Sequence, residues 1–275
     1  MPEPLDLPAA LRLAESAARR AAELLLTYFR GPRLKVRHKN TTDLVTEADQ
    51  RSEALIAEIL LNAYPDHTLI GEESGGQGRA EAPYRWHVDP LDGTTNFAHG
   101  IPYFAVSIAL SDAKNMPLVG VVYDPIHAEC FRALRGGGAW LGRKKLRVSK
   151  TRKLADALLA SGFPRDKRVN PDNNTEEWAC FVPRTQSVRR LGSAALELCY
   201  VAAGRLDGYW EARTNTWDIL AGLLMVEEGG GKLSNYRGRQ AGVYDGVQVV
   251  ASNGRIHEQM LEVLILGAAA PRPGA

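Results

Sequence analysis

The spacing of apolar runs changes along the chain, and this change constrains the fold more than any other feature of the sequence. Three strand-like runs, at residues 103–110, 118–123 and 129–134, are joined by short connections that contain Asn115-Met116-Pro117 or Asp124-Pro125. Strands joined by short turns lie side by side and antiparallel, because a parallel pair needs a long crossover. The first half of the chain is therefore predicted to contain an antiparallel meander.

The second half of the chain alternates between strands and helices instead. The predicted elements are strands at residues 157–160, 186–190, 206–211 and 247–252, and helices at residues 192–203, 217–228 and 255–266. We expect an α/β (α+β) fold, a layered αβαβα sandwich with an antiparallel-rich N-terminal sheet and a mixed C-terminal sheet. Two sub-domains, residues 1–145 and 146–275, are predicted to share one cleft.

The region before the meander mixes helix and strand signals. Apolar residues at helical spacing predict one helix over residues 7–29 and a second from about Thr46 to Ala63. Residues 68–70 and 85–88 are predicted as short strands. The glycine-rich residues 75–83 are predicted as a mobile loop between them.

Composition excludes several classes of protein. A net charge of +2 gives no case for nucleic-acid binding, and the short basic run of Arg143, Lys144, Lys145 and Arg147 is interpreted as a solvated turn. No apolar run approaches the ~18 residues of a membrane span. Three widely spaced cysteines form neither a CxxC pair nor a zinc pattern. We therefore expect a cytoplasmic protein with no membrane segment.

The chemistry of the chain is concentrated in the segment Asp89-Pro90-Leu91-Asp92-Gly93-Thr94. Two carboxylates three residues apart can bind a hard divalent cation, and the oxygen-only donors favour Mg²⁺. The Gly-Thr turn that follows can direct backbone N–H groups toward an anion. The segment thus offers metal ligands and phosphate ligands side by side.

Glu72 and Asp218 also stand where a strand or turn ends, so they can project into the same cleft as Asp89 and Asp92. The alternative for each acid is a surface carboxylate or a helix cap. Asp218 in particular could cap the helix that begins beside it. If the four acids do meet, their repulsion requires divalent cations to compensate it.

Four separated elements resemble the Mg²⁺-dependent, lithium-inhibited inositol monophosphatase family, within the superfamily that includes fructose-1,6-bisphosphatases. In chain order they are Asp43-Leu44-Val45-Thr46-Glu47-Ala48-Asp49, Gly71-Glu72-Glu73-Ser74, Asp89-Pro90-Leu91-Asp92-Gly93-Thr94-Thr95-Asn96-Phe97, and Trp217-Asp218. Their order and spacing agree from about residue 10 to residue 265. The resemblance implies a phosphoric monoester hydrolase that uses Mg²⁺, acts on a small-molecule phosphomonoester and forms a homodimer.

The resemblance also implies the ligands of the metal and the phosphate. The metal ligands would be the carboxylates of Glu72, Asp89, Asp92 and Asp218 and the carbonyl of Leu91. Asp89 would bridge two metal ions. The backbone N–H groups of Gly93 and Thr94 would hold the phosphate, which agrees with the chemistry of the turn.

Catalysis would involve Thr94, Asp49 and Glu72. By the resemblance, the Thr94 hydroxyl, oriented by the Asp49 carboxylate, helps the attacking water lose its proton. Without the resemblance, Thr94 would be interpreted as a helix N-cap and Asp49 as a helix-surface acid. Lys39 is a candidate to close over the metal site, with an exposed lysine as the alternative.

The resemblance assigns substrate binding mainly to the second half. The implied residues are Asp92, Gly192, Ser193, Ala194, Glu211 and Asp218. A carboxylate such as Glu211 can accept hydrogen bonds from two adjacent hydroxyls of a polyol, although it could also be a plain strand-end acid.

The predicted reaction is hydrolysis of a polyol or sugar phosphomonoester, with myo-inositol 1-phosphate as first candidate. Thr95-Asn96-Phe97 favours this branch of the superfamily. The open alternatives are fructose 1,6-bisphosphate, 3′-phosphoadenosine 5′-phosphate and histidinol phosphate. An alternative from another class is a regulatory interaction protein with vestigial activity.

Overall fold

The fold is described from a computed structural model, for residues 5–31, 37–38, 44–45, 47–79 and 81–269. Lys39, Asp43 and Thr46 lie outside these ranges. The α-helices of the described residues are α1 (Leu7–Phe29), α2 (Glu47–Ala63), α3 (Thr94–Ala98), α4 (Thr175–Phe181), α5 (Ala194–Ala202), α6 (Thr216–Glu228) and α7 (His257–Ala269).

The strands fall into two groups along the chain. Those before residue 146 are β1 (Arg37–His38), β2 (Leu44–Val45), β3 (Thr68–Gly71), β4 (Gly75–Gly78), β5 (Tyr84–Asp92), β6 (Ala105–Asp112), β7 (Pro117–Asp124), β8 (Glu129–Leu134), β9 (Gly138–Leu141) and β10 (Lys144–Lys145). Those after it are β11 (Leu158–Ser161), β12 (Ser187–Arg189), β13 (Gly208–Ala212), β14 (Lys232–Ser234) and β15 (Gln248–Ser252).

Eight strands of the first group form one sheet, in the order β10-β9-β8-β7-β6-β5-β3-β4. The strands β6, β7 and β8 are antiparallel neighbours, so the predicted meander is confirmed. The strands β3 and β5 pair in parallel, and the other neighbours in the sheet pair antiparallel. The first sheet is thus rich in antiparallel pairs, as expected.

The second sheet has five strands, in the order β12-β11-β13-β15-β14. Here β11 pairs in parallel with both β12 and β13, whereas β15 pairs antiparallel with β13 and β14. This is the predicted mixed sheet. After α5, Gly204 follows the C-cap residue Ala203 with φ 70°, in the left-handed region that favours glycine.

The two sheets and the helices form the predicted αβαβα layers. Helices α1 and α2 cover the outer face of the eight-stranded sheet, α5 and α6 lie between the sheets, and α4 and α7 cover the outer face of the five-stranded sheet. The middle position explains the sequence of α6, whose residues 219–226 are all buried. A helix between two sheets has no face left for polar residues.

A glycine sets how closely the middle layer approaches the first sheet. A Cβ at Gly120, in β7, would lie 3.0 Å from the carbonyl oxygen of Ala221 in α6 and 3.1 Å from its Cα. These distances are shorter than ordinary van der Waals contact. The close packing of α6 on β7 therefore depends on the missing side chain.

The structure departs from the sequence prediction in the glycine-rich segments. Residues 75–83 are not a loop throughout, because β4 lies there and pairs with β3 at the edge of the sheet. The strand predicted at residues 85–88 extends to Asp92 as β5. Helix α4 and strands β9 and β14 have no counterpart in the prediction, since short elements carry too few residues for a periodic pattern.

The central apolar core draws on both halves of the chain. Its buried residues include Val122 and Phe131 from the first half and Leu196 and Leu223 from the second. The division at residue 145 stays a prediction. No helix in the described ranges is both long enough and apolar enough to cross a membrane.

Candidate active site

One cavity, of about 560 Å³, is bordered by residues from both halves of the chain. The predicted site residues that line it are Glu72, Asp89, Leu91, Asp92, Gly93, Thr94, Gly192, Ser193, Ala194, Glu211 and Asp218. The remaining predicted residue, Asp49, lies beside Thr94. The structure therefore brings the whole predicted set to one place, although the members come from segments far apart in sequence.

A bulge in β5 brings Asp89 and Asp92 to the same face of the sheet. Residues three apart on a regular strand point to opposite faces. In β5, however, Asp89 pairs with Ser107 and Asp92 with Ala105, so three steps along β5 match two steps along β6. The extra residue restores a common direction for the two carboxylates. Pro90 fits here because a bulge tolerates a residue without an N–H group.

The predicted phosphate turn follows β5 directly. Gly93 has φ 101°, and a Cβ there would lie 3.0 Å from the Tyr103 carbonyl oxygen, so the turn requires glycine. Helix α3 begins at Thr94, and the first N–H groups of a helix have no acceptor within it. Gly93, not Thr94, is the N-cap residue of α3, so the alternative interpretation of Thr94 as an N-cap is wrong.

Thr94 and Asp49 are in hydrogen-bond contact across 45 positions of sequence. Thr94 Oγ1 lies 3.2 Å from Asp49 Oδ1 and 3.0 Å from the carbonyl oxygen of Leu91. The hydroxyl has one proton, so it donates to one of these oxygens at a time. Asp49 is 1% exposed, and the alternative of a helix-surface acid is therefore wrong. The catalytic role of the pair stays a prediction.

The carboxylates of Glu72, Asp89, Asp92 and Asp218 form what we call the acidic floor of the cavity. Burial is the largest cause of a raised pKa in the three aspartates, and the charge of Glu72 adds to it. The pKa of Asp89 is raised well above its usual value, that of Asp92 to about 6 and that of Asp218 to about 7. The floor therefore holds more negative charge than its surroundings stabilise.

Donors from the second half of the chain fix Asp92. Ser193 Oγ donates to Asp92 Oδ2 over 2.6 Å, and the backbone N–H of Ala195 donates to the same oxygen over 2.7 Å. Both donors belong to the start of α5, where Ser193 is the N-cap residue. A carboxylate of the first sheet is thus held by the helix layer between the sheets.

Asp218 combines a structural contact with its place in the acidic floor. It is the third residue of α6, and its Oδ2 accepts a hydrogen bond of 2.7 Å from the N–H of Asn215, the N-cap residue. The interpretation of Asp218 as part of a helix cap is therefore confirmed by this hydrogen bond. The same side chain also lines the cavity.

Two further carboxylates, those of Glu211 and Glu197, also line the cavity. Glu211 accepts a hydrogen bond from the Tyr209 hydroxyl, and burial raises its pKa to about 7. Glu197 accepts hydrogen bonds from the N–H groups of Leu191 and Gly192 over 2.8 and 3.0 Å, and burial raises its pKa to about 8. The sequence analysis missed Glu197, which fixes the loop that precedes Ser193.

The family model of the inositol monophosphatase family matches residues 6–265. The chain belongs to the inositol monophosphatase family. An inositol-1-monophosphatase of Synechocystis sp. is 43% identical over 262 residues, which cover 95% of this chain and 90% of that relative. A relative from Pasteurella multocida named Nus factor SuhB is 44% identical over 259 residues, with 91% and 94% covered. The solved structure of an inositol monophosphatase from Anabaena (Nostoc) sp. PCC 7120 has a TM-score of 0.87 at 41% identity, with 98% and 99% covered.

The donors of this inositol monophosphatase family member fit a hard divalent cation in their chemistry. They are carboxylates and the Leu91 carbonyl, which are the oxygen ligands that Mg²⁺ accepts, and positive charge would relieve their repulsion. Within the described ranges, no three His, Cys, Asp or Glu side chains already stand in a metal-holding arrangement. Glu72 Oε1 instead lies 2.6 Å from Arg165 Nη2, so a side-chain cation is paired with the acidic floor.

The sequence analysis also missed the cations of this family member's cavity. They are Arg165, Lys167, Arg168, Arg190 and Arg213. A signal was present, because residues 165–168 and 189–190 are two charge-rich runs, each within three residues of a glycine. The basic run that the analysis did single out lies elsewhere, at the β9–β10 hairpin, where Arg143 is exposed.

Proposed function

We propose that the chain is a Mg²⁺-dependent phosphatase that hydrolyses a small polyol or sugar phosphomonoester, with myo-inositol 1-phosphate as first candidate. The observation that carries this proposal is the meeting of the acidic floor with the Gly93-Thr94 turn in one cavity. Membership of the inositol monophosphatase family supports phosphatase chemistry, and relatives named inositol-1-monophosphatase support the substrate.

The acidic floor and the carbonyl of Leu91 are the residues that would hold Mg²⁺. Mg²⁺ held by these residues would supply positive charge to the phosphoryl oxygens and to the departing alkoxide. The protein's own part is to hold the ligands in place: Ser193 and Ala195 fix Asp92, and Asn215 fixes Asp218. The N–H groups of the Gly93-Thr94 turn would bind the phosphoryl oxygens.

Thr94 and Asp49 are proposed to position the attacking water. When the Thr94 hydroxyl donates its proton to Asp49 Oδ1, the lone pairs of Oγ1 are left to accept a hydrogen bond from water. Asp49 is buried, so its carboxylate holds the hydroxyl in one orientation. As the water oxygen forms its bond to phosphorus, the water passes a proton to Thr94 Oγ1 and Thr94 passes its own proton to Asp49. The ester P–O bond breaks on the opposite side, and the alkoxide takes up a proton from solvent, without a covalent intermediate.

The polyol would be bound by cavity residues from the second half of the chain. The Glu211 carboxylate can accept hydrogen bonds from substrate hydroxyls, and the backbone of residues 192–194 can add further contacts. Glu197 keeps this loop in place through the N–H groups of Leu191 and Gly192. Preorganised contacts of this kind orient the ester for in-line attack.

The test is a phosphate-release assay with and without Mg²⁺ and Li⁺. The panel contains myo-inositol 1-phosphate, fructose 1,6-bisphosphate, 3′-phosphoadenosine 5′-phosphate and histidinol phosphate. We expect release that requires Mg²⁺, with the inositol phosphate among the best substrates, and inhibition by Li⁺ as the family resemblance implies. Equal release without Mg²⁺, or none from any ester, would overturn the proposal.

A second candidate, a regulatory interaction protein, is favoured by the similarity to relatives named Nus factor SuhB. Such a role would survive the Asp92→Asn substitution, whereas hydrolysis would not. Homodimer formation and a cytoplasmic location are further proposals, which sedimentation velocity and cell fractionation test.

A further inference from the structure

His87 is a buried histidine two residues before Asp89 on β5. It is 0% exposed, so both of its ring nitrogens need hydrogen-bond partners. Side chains two residues apart on a strand point to the same face of the sheet, and the neighbours Trp86 and Val88 pack into the outer core with α1 and α2. His87 and Asp89 therefore lie on the other face, toward the layer of α5 and α6.

The ring of His87 joins two different elements. Its Nε2 lies 2.8 Å from Ser111 Oγ, near the end of β6. Its Nδ1 lies 2.8 Å from the Oγ1 atom of Thr216, the first residue of α6. One imidazole thus attaches β5 both to the neighbouring strand and to the helix between the sheets.

The surrounding hydrogen bonds determine which ring nitrogen carries the proton. Ser111 Oγ donates its proton to the carbonyl oxygen of Asp112 over 3.0 Å, so this hydroxyl accepts from the ring. Burial, and after it the charge of Arg85, lowers the pKa of His87 to about 3, so the ring is neutral and has one N–H group. That group is Nε2–H, and Nδ1 accepts the hydrogen bond that Thr216 donates.

A second side chain of the first sheet contacts the next residue of α6. Ser107 Oγ donates to the carbonyl oxygen of Trp217 over 3.2 Å, and Ser107 is the β6 residue that pairs with Asp89. The first two residues of α6, Thr216 and Trp217, are therefore attached to β5 and β6 close to Asp89. Asp218 is the residue that follows them.

The place of Asp218 in the acidic floor depends on these attachments. The hydrogen bond from the N–H of Asn215 orients the Asp218 side chain on its own helix, but it does not fix the helix on the sheet. The contacts of Thr216 and Trp217 with the first sheet do so. Because like charges repel, the helix needs such attachments where Asp218 approaches the other carboxylates.

We propose that His87 is a positioning residue, which holds Thr216 through Nδ1 and thereby holds Asp218 in place in the acidic floor beside Asp89. This inference rests on the proposed phosphatase function, because Asp218 would there be a ligand of Mg²⁺. Removing a group that orients a metal ligand changes metal affinity or activity by about 10–100-fold. We expect the lower end of this range, since His87 acts through one further residue.

Four single variants separate the two hydrogen bonds of the ring. In His87→Asn the amide oxygen can take the place of Nδ1 and accept from Thr216. In His87→Gln the amide nitrogen can take the place of Nε2 and donate to Ser111. Thr216→Val and Ser111→Ala remove the partner hydroxyls. His87→Gln and Thr216→Val therefore lose the contact with the helix, whereas His87→Asn and Ser111→Ala keep it.

Calorimetric titration with Mg²⁺ alone, without substrate, is the first measurement. We expect Kd for Mg²⁺ to rise about tenfold in His87→Gln and in Thr216→Val, and less than about threefold in His87→Asn and Ser111→Ala. The double variant of His87→Gln and Thr216→Val should lose no more than either single variant, because both remove the same hydrogen bond. Each single variant loses one hydrogen bond, so Tm should fall by similar amounts in all four.

Hydrogen exchange of the metal-free protein measures the attachment of the helix itself. We expect the peptide that covers residues 215–222 to exchange faster in His87→Gln and Thr216→Val than in the unmodified protein. In His87→Asn and Ser111→Ala it should exchange at nearly the unmodified rate. This measurement needs neither Mg²⁺ nor an ester.

Two results would overturn the inference. One is a Mg²⁺ affinity that is unchanged in all four variants or reduced equally in all four, and the other is unchanged exchange of residues 215–222 in His87→Gln and Thr216→Val. Thr216→Val and Ser111→Ala decide between these outcomes if a substitution at the buried His87 prevents folding. If the unmodified protein binds no Mg²⁺ and hydrolyses no ester, the proposed function fails separately, and hydrogen exchange alone decides the inference.

Discussion

The acidic floor lines the same cavity as Lys167, Arg168 and Arg190, here called the basic rim, but the two groups differ in the sign of their charge and in their burial. In the floor, burial and the nearby negative charges raise the pKa of Asp89, Asp92 and Asp218, and protein donors hold Asp92 and Asp218 in place. The side chains of the basic rim are exposed to solvent. The pKa and position of a buried carboxylate depend on the protein groups that contact it. The interactions of an exposed cation depend mainly on the ligand that reaches it. The two regions therefore need different experiments.

The largest expected effect comes from removing one charge of the floor. In Asp92→Asn the side-chain oxygen can still accept from Ala195, so the fold should persist, but one charged metal ligand is lost. Loss of several kcal/mol of transition-state stabilisation corresponds to a fall in turnover of about 10³-fold or more. Phosphate release at saturating Mg²⁺ measures it, and circular dichroism checks the fold.

Asp112→Asn is the matched control for this variant. Asp112 Oδ1 accepts hydrogen bonds from the N–H groups of Lys114 and Met116 in the turn between β6 and β7, away from the cavity. It should change turnover less than about twofold, as surface substitutions outside a site usually do. Full activity of Asp92→Asn at saturating Mg²⁺ would refute the assignment of the floor.

A smaller effect is expected where the floor meets the phosphate turn. Thr94→Val removes the hydroxyl that contacts Asp49 and should lower kcat about 10²-fold, the usual size of a lost proton-transfer contact. Thr94→Ser keeps the hydroxyl and should retain most of kcat. Steady-state kinetics on the preferred ester separate the two variants. Equal kcat in Thr94→Val and the unmodified protein would show that the pair has no part in catalysis.

Among the cations that line the cavity, Arg165 forms an ion pair with the acidic floor. Its guanidinium is paired with Glu72, so Arg165→Met should remove a competing cation and tighten Mg²⁺ binding, up to about tenfold. Isothermal titration with Mg²⁺ in the absence of substrate measures this. The control is Arg213→Met, since Arg213 is paired with Asp166 instead. Weaker Mg²⁺ binding in Arg165→Met would mean that the guanidinium supports the floor.

The smallest expected effect is a change in thermal stability with pH. The raised pKa values of Asp92 and Asp218, about 6 and about 7, mean that folding favours their protonated forms without metal, so the stability that this protonation contributes is full at low pH and is lost as the pH rises through these values. Mg²⁺ binds the charged form, so the rise in Tm on adding Mg²⁺ should be roughly 5 °C at pH 8 and smaller at pH 5.5. Differential scanning fluorimetry measures both. A larger Mg²⁺-dependent increase in Tm at pH 5.5 than at pH 8 would contradict the proposal that Mg²⁺ binds the charged carboxylates of the floor.

Sequence patterns predicted the features that depend on neighbours along the chain. The meander follows from short turns between apolar runs, and the site segment is readable because Asp89, Asp92, Gly93 and Thr94 stand together. Glu72 and Asp218 were candidates because each stands where a strand or turn ends, whereas the membership of Asp49 in the site came from the family resemblance alone. Each predicted site residue within the described ranges reaches the cavity or its direct neighbourhood.

The features that sequence did not predict depend on contacts between distant segments. The common direction of Asp89 and Asp92 requires the bulge, and a bulge is defined only against the partner strand β6. The strand β4 is largely glycine, so its pairing comes from the backbone of β3 rather than from a side-chain pattern. The basic rim combines side chains from two loops, which no single segment reveals.

The close approach at Gly120 has a consequence for the cavity that lies beyond packing. Ala221, which it touches, is one turn after Asp218 on the same helix. The absence of a side chain at Gly120 therefore sets how far Asp218 extends into the cavity, although the two residues are not in contact. Gly120→Ala would push the helix outward by a few tenths of an ångström, and we expect this apolar change in the sheet to weaken the proposed binding of Mg²⁺.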